Sequence, residues 1–198
     1  MPKRYAYNTS ATQVKKRYAM IGSTATQIKK KYAMIGSTAT LVYSAEEYLL
    51  QNGVAQTLAG GFTHYAQQYN SELTYPSGYM QLKNSNSGSY SRVDSNNEID
   101  WSKYSTLKVQ MGATTVPTYS PFVIAIAKGT INSGTYISSI SSSNRSLYKS
   151  YNDPSASITW AEDHILSFDV SSITTSGKFM IGMIHNIGTW KIKNIWVE

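Results

Sequence analysis

Thr106-Leu107-Lys108-Val109-Gln110-Met111-Gly112 alternates without a break: Leu107, Val109 and Met111 fall on one side, Lys108 and Gln110 on the other. Successive side chains of an extended chain leave on opposite sides, so a period of two predicts a strand with one face buried and one wet. Short segments of the same kind recur at residues 79–83, 122–127, 136–140, 165–170, 179–184 and 190–197. Between them stand turn clusters, Asn84-Ser85-Asn86-Ser87-Gly88, Asn132-Ser133-Gly134, Asn152-Asp153-Pro154 and Thr174-Thr175-Ser176-Gly177. Many short strands at this spacing predict an antiparallel sandwich or barrel. At residues 44–50 Ser44 and Glu47 have the spacing of a helix capping box. Asn52-Gly53 beside Tyr48-Leu49-Leu50 is a hairpin signal, and the strand is the preferred reading there.

The chain has 198 residues, 41% hydrophobic, 15% charged and 12% aromatic, enough for one domain with a small appendage. It has no cysteine, which excludes a disulfide framework, a thiolate metal site and a cysteine nucleophile. No run approaches the roughly 18 apolar residues of a membrane span. Met1-Pro2-Lys3-Arg4-Tyr5 is charged but no apolar stretch follows it, so no secretory signal is expected. The expectation is a protein that stays in the cell that makes it or leaves by a route such as lysis.

Net charge is +7, unevenly placed. Residues 1–43 hold eight basic side chains and no acid, a net +8, whereas residues 44–198 hold ten basic and eleven acidic, a net −1. The basic segment is a repeat. Residues 14–27, Val-Lys-Lys-Arg-Tyr-Ala-Met-Ile-Gly-Ser-Thr-Ala-Thr-Gln, recur fourteen residues later at 28–41, and a shorter copy occupies residues 4–13. Each unit predicts a strand, a Gly-Ser turn and a second strand, since glycine at the first central position suits a two-residue hairpin. In the first copy Asn8 stands where Gly22 and Gly36 stand later, which keeps the turn chemistry. One 14-residue hairpin buries too little to be stable alone, so the units are expected to stack on one another, on the following domain or on another chain. Lys15, Lys16, Lys29 and Lys30 read either as solvated loops or as contacts to an anionic partner, with Tyr18 and Tyr32 on the adjoining strands.

Catalytic patterns are missing from the sequence. His64, His164 and His185 have no metal-ligand spacing, and Glu162-Asp163-His164 lacks a nucleophile at a recognisable turn. A glycosidase pair would have to come from Glu72, Asp94, Glu98, Asp100, Asp153, Glu162, Asp163 and Asp169. Residues 91–101 read as a hydrophilic loop, with oxygen ligands that would suit calcium but without the spacing of a calcium motif. No catalytic residue, metal or cofactor is assigned, and a non-enzymatic protein is expected.

Sixteen tyrosines and four tryptophans stand against four phenylalanines, a bias toward rings with a polar tip, as where aromatic faces meet a partner. Tyr119, Tyr148 and Tyr151, read as loop residues, are the candidate ligand-binding side chains, able to stack on sugar rings or pack on another subunit. Trp101, Trp160, Trp190 and Trp196 read as core.

The tandem Lys-Lys-x-Tyr-x-x-x-Gly-x-x-Ala units, running into Leu41-Val42-Tyr43 and residues 48–53, resemble the N-terminal repeats of tail or other virion structural proteins from phages and prophages of Gram-positive gut bacteria. Gly60-Gly61-Phe62, residues 97–109 and residues 191–198 are similar to that family's galactose-binding-like jelly roll. The family's Gly-Gly turn is Gly-Ser here, and the Arg that often follows its Ala is Thr26 or Thr40. The resemblance implies an all-β chain in which β-hairpin repeats, residues 1–43, precede an antiparallel jelly-roll β-sandwich, residues 44–198. It implies a virion structural protein of the tail, fibre or head surface, anchored by Lys15, Lys16, Tyr18, Lys29, Lys30 and Tyr32. Other virion proteins and further copies of the chain, a trimer among them, would be its partners, with nucleic acid and membrane disfavoured. The alternative is a carbohydrate-binding adhesin that recognises cell-surface glycans.

Overall fold

The computed structural model describes residues 17–21, 24–28, 30–35, 38–44, 46–68, 71–86, 88–115, 122–151, 164–184 and 188–198. They fall into two units, one ending at Glu46 and the other spanning Glu47–Val197.

The first unit contains two hairpins, β1 (Arg17–Ile21) with β2 (Thr24–Ile28), and β3 (Lys30–Ile35) with β4 (Thr38–Ser44). Ile21 pairs with Thr24 and Ile35 with Thr38, so each hairpin is joined by two residues, as the Gly-Ser spacing predicts. Tyr18 lies opposite Gln27 and Tyr32 opposite Leu41, the same register one repeat apart. The copy at residues 4–13 lies outside the described residues.

The second unit continues with β5 (Glu47–Gln51), β6 (Val54–Ala55), β7 (Phe62–Gln68), β8 (Ser71–Thr74), β9 (Met80–Asn84), β10 (Tyr90–Ser95) and β11 (Ile99–Asp100). It ends with β12 (Thr106–Thr115), β13 (Phe122–Ala127), β14 (Arg145–Tyr151), β15 (His164–Asp169), β16 (Ser176–Ile184) and β17 (Gly188–Val197). Two antiparallel sheets form a sandwich. The six-stranded sheet has the order β14-β13-β16-β10-β7, with β11 also on β16. In the seven-stranded sheet β12 lies between β15 and β17, whose other side pairs with β9 and β5; β8 and β6 complete it. The preferred strand at residues 44–50 is β5, and Asn52 and Gly53 turn it into β6 with φ of 48° and 75°.

The alternation of β12 is realised as predicted. Leu107, Val109 and Met111 are buried and meet Val93, Phe122, Ile124, Phe179 and Ile181 of the other sheet in one core. Each such side chain contributes roughly 1.5–3 kcal/mol through the apolar surface it removes from water. Trp101 opens a 3-10 turn (Trp101–Lys103), is fully buried, and donates its indole N–H to the Gly177 carbonyl at 3.0 Å. Trp190 packs on Phe122 with ring centroids 4.9 Å apart. These two tryptophans fill the interior as expected; Trp196 is buried outside the core clusters, between Tyr48, 6.1 Å away by ring centroids, and Lys108, and Trp160 lies outside the described residues.

Three expectations are overturned. Residues 136–140 do not form a strand: Ile137–Ser139 is a 3-10 turn, whose repeat of three puts Ile137 and Ile140 on one buried side. The stretch read as a hydrophilic loop at 91–101 contains β10, a central strand. The residues read as a tyrosine-bearing loop around 145–151 are β14, an outermost strand with Leu147 turned into the core.

Gly182 lies in β16, where an added Cβ would fall 2.5 Å from the Ser91 carbonyl oxygen and 3.0 Å from Ile137 Cγ2. Gly134 has nothing within 4 Å and no positive φ. Urea unfolding is expected to show Gly182→Ala destabilising the protein by about 2 kcal/mol or more and Gly134→Ala leaving it within about 0.5 kcal/mol. Equal midpoints for the two variants would contradict the close packing at Gly182.

Candidate functional site

Side chains of β10 alternate across the sheet. Val93 enters the core, so Tyr90, Arg92 and Asp94 leave on the outer face. Register sets Tyr65 beside Arg92 and Thr63 beside Asp94 on β7, and Gly182 and Met180 on β16. Beyond β16 the outer face continues through Val123 and Ala125 of β13 to Tyr148 of β14. Its middle is lined by small residues, Ala125, Ala127 and Gly182. Residues 128–144 fill that trough: Ile137 and Ile140 form a second buried cluster with Val123, Ala125, Met180 and Ile184.

Polar contacts hold the crossing segment in place. Arg92 is fully buried and donates Nε–H to Asp94 Oδ1 at 2.9 Å. Its Nη1 donates to the carbonyls of Asn132, at 3.1 Å, and Thr135. Those carbonyls belong to one turn, closed by the Thr135 N–H on the Asn132 oxygen. The guanidinium carbon lies 4.5 Å from the centre of the Tyr65 ring. Tyr136, next along the segment, packs on Tyr90 with centroids 4.3 Å apart. Burial pushes the Asp94 carboxyl above the ordinary carboxylate range, outweighing the pull of Arg92 in the other direction.

A depression of about 400 Å³ opens beside this anchor, between His64, Tyr65 and Ala66 of β7 and Ser133 and Gly134 of the turn. His64 lies 3.3 Å from Ser71 Oγ, and burial lowers the imidazole below its usual range, favouring the neutral ring. The depression offers the amphipathic Tyr65 ring, the exposed Ser133 and backbone groups; His64, opposite core-facing Val93, turns its imidazole to the other side of the sheet, toward Ser71. Among the described residues no carboxylate lines it. Elsewhere Asp100 is held by Ser102 and Lys103, Asp169 by Ser171, and Glu47 accepts the Tyr104 hydroxyl at 2.9 Å. Among the described residues no three His, Asp or Glu side chains converge as metal ligands.

Of the ligand-binding residues expected from sequence, Tyr148 is on this outer face, half-buried, with the Arg145 guanidinium 4.0 Å from its ring centre. Burial raises its phenol above the usual range. Tyr151 ends β14 opposite Phe122, and Tyr119 lies outside the described residues. Lys15, Lys16 and Lys29 also lie outside them, while Tyr18, Lys30 and Tyr32 belong to the hairpin strands. Tyr65, Arg92 and Tyr136 went unseen in the sequence. The available signal was Arg92-Val93-Asp94, opposite charges two apart around an apolar residue, the pattern of an ion pair on one strand face.

No protein-family model matches the chain, and no curated protein matches it. Solved structures do. A family 29 carbohydrate-binding module from Piromyces equi matches with a TM-score of 0.43 and 8% identity, over 77% of this chain and 89% of that one. The enzymatically active domain of tailspike protein 4 from bacteriophage CBA120 matches at 0.45 and 13% identity, over 75% of this chain. The glycoside hydrolase domain of endo-D from Streptococcus pneumoniae R6 matches at 0.42 and 11%, over 69% of this chain. The chain spans 21% of the length of each of those two larger proteins.

Removing one partner of a buried ion pair strands the other charge, so Arg92→Met or Asp94→Leu alone is expected to cost about 3–5 kcal/mol. The double variant Arg92→Met/Asp94→Leu should lose clearly less than the sum of the two. Chemical unfolding of all four proteins measures the coupling, and simple additivity would mean that the pair does not act as a unit.

Proposed function

We propose that the sandwich is a non-catalytic carbohydrate-recognising domain whose ligand rests on the outer face of the six-stranded sheet. The observation that carries this reading is the depression beside Tyr65. Its volume falls within the ~300–1,000 Å³ of small-ligand sites. Tyr65 is backed by a buried cation and a pinned turn, so the ring is presented with little freedom left to lose on binding. A sugar needs an apolar ring face for its C–H surface and nearby hydroxyl and backbone groups for its hydroxyls, which Tyr65 and the 133–134 turn bring together. Screening the full chain against an oligosaccharide library by calorimetry should find at least one binding class. Tyr65→Ala should weaken it by roughly tenfold, the scale of about 1.4 kcal/mol. Ser133→Tyr, which fills the depression from an exposed turn without touching the core, should abolish it. Binding that neither variant changes would exclude this seat.

A second reading concerns the first unit and is favoured by its two hairpins, which share a register from Tyr18 and Tyr32 to the turn. In it residues 1–43 attach the chain to a virion, through other virion proteins or through copies of themselves, and the sandwich is the displayed part. Light scattering should give a homo-oligomer for the full chain and a monomer for residues 44–198, with oligosaccharide affinity unchanged. Identical assembly of the two would remove the attachment role.

A further inference from the structure

A second depression, about 210 Å³, lies where β13 ends and β14 begins, against the turn that leads into β16. Its chemistry differs from the first. Two cations, Lys128 and Arg145, line it together with the hydroxyl residues Ser146, Ser172, Thr174 and Thr175, and among the described residues no acidic one does. Neither cation makes an ion pair among the described residues; the Arg145 guanidinium rests on the Tyr148 ring, 4.0 Å from its centre. The nearest acid along the chain, Asp169, is satisfied by the Ser171 N–H at 2.9 Å and hydroxyl at 2.6 Å. The sandwich as a whole is close to neutral, so two cations in one recess, with no ion pair among the described residues, are a local excess.

We infer that this recess is a subsite for the anionic group of an acidic sugar, a carboxylate or a sulfate ester. The inference rests on the carbohydrate-binding reading above and narrows its ligand class. A guanidinium presents a planar fork matched to two oxygens of such a group, and stacking on Tyr148 fixes the plane of that fork before the ligand arrives. Lys128 adds a mobile point charge from the other strand end, and the serine and threonine hydroxyls supply donors for the remaining oxygens. Tyr148 thereby acts as a support for Arg145, and its own ring face is not the sugar platform.

Two measurements on the full chain test this. Sodium sulfate titrated against a sodium chloride control, followed by amide resonances, should shift residues 128, 145 and 172–175 saturably, and the shifts should vanish in Lys128→Gln/Arg145→Gln. An oligogalacturonate should bind roughly tenfold or more tightly than its carboxyl-reduced neutral form, and the same double variant should erase that difference while retaining the neutral affinity. Sulfated oligosaccharides in a parallel arm distinguish ester from carboxylate. Oligosaccharide binding indifferent to the charged group would overturn this inference and leave the carbohydrate reading standing. Saturable sulfate shifts without binding of any sugar would overturn the carbohydrate reading and, with it, the acidic sugar. Absence of sulfate shifts would remove the anion site itself.

Discussion

The guanidinium of Arg92 is fully buried, and that constraint organises the outer half of the sandwich. A buried cation must be given an opposite charge and hydrogen-bond acceptors or the fold becomes costly. Asp94 supplies the charge from the same strand face, the 132–135 turn supplies two carbonyls, and Tyr65 supplies a ring. The Nη1 contacts of Arg92 therefore tie it to a segment some forty residues away in sequence. Ile137 and Ile140 can then occupy the trough that Ala125, Ala127 and Gly182 leave open. Electrostatics and packing specify the same placement of the crossing segment, and the depression beside Tyr65 follows from it.

The inner face of the fold was legible because it is written in a period of two. Leu107-Val109-Met111 found β12, and residues 122–127, 179–184 and 190–197 found three more strands close to their true limits. The outer face was not, because its signals contradict the simple rule that charge means solvent. Ser91-Arg92-Val93-Asp94 looks hydrophilic residue by residue and is wholly buried, since the two charges cancel across one strand face. The apolar run Phe122-Val123-Ile124-Ala125-Ile126-Ala127 did carry a clue: a strand apolar on both faces must be covered on both. What covers it could not be read, because residues 128–144 have no periodicity and are held by a distant side chain. Tyr148, read as a loop ring, is a residue of the edge strand β14, with the Arg145 guanidinium 4.0 Å from its ring centre.

Charge separates the two units as clearly as contacts do. The basic pI of about 9.4 comes from residues 1–43, while the sandwich balances its own charges and places its few cations where they have specific neighbours: Arg92 under the turn, Lys108 over Trp196, Lys191 over Tyr79 and Arg145 over Tyr148. Cations resting on rings keep long side chains ordered at modest cost, each contact contributing on the order of 0.5–2 kcal/mol. A tyrosine-rich, phenylalanine-poor composition serves that purpose.

The hairpins have a consequence of another kind. Tyr18 faces Gln27 and Tyr32 faces Leu41 across the same nine-residue offset, and each pair of strands closes through two residues of its own. A unit of fourteen residues thus carries all the information for its own pairing. Duplication or loss of whole units by recombination would change the length of this part of the chain in fixed steps and leave every remaining register intact.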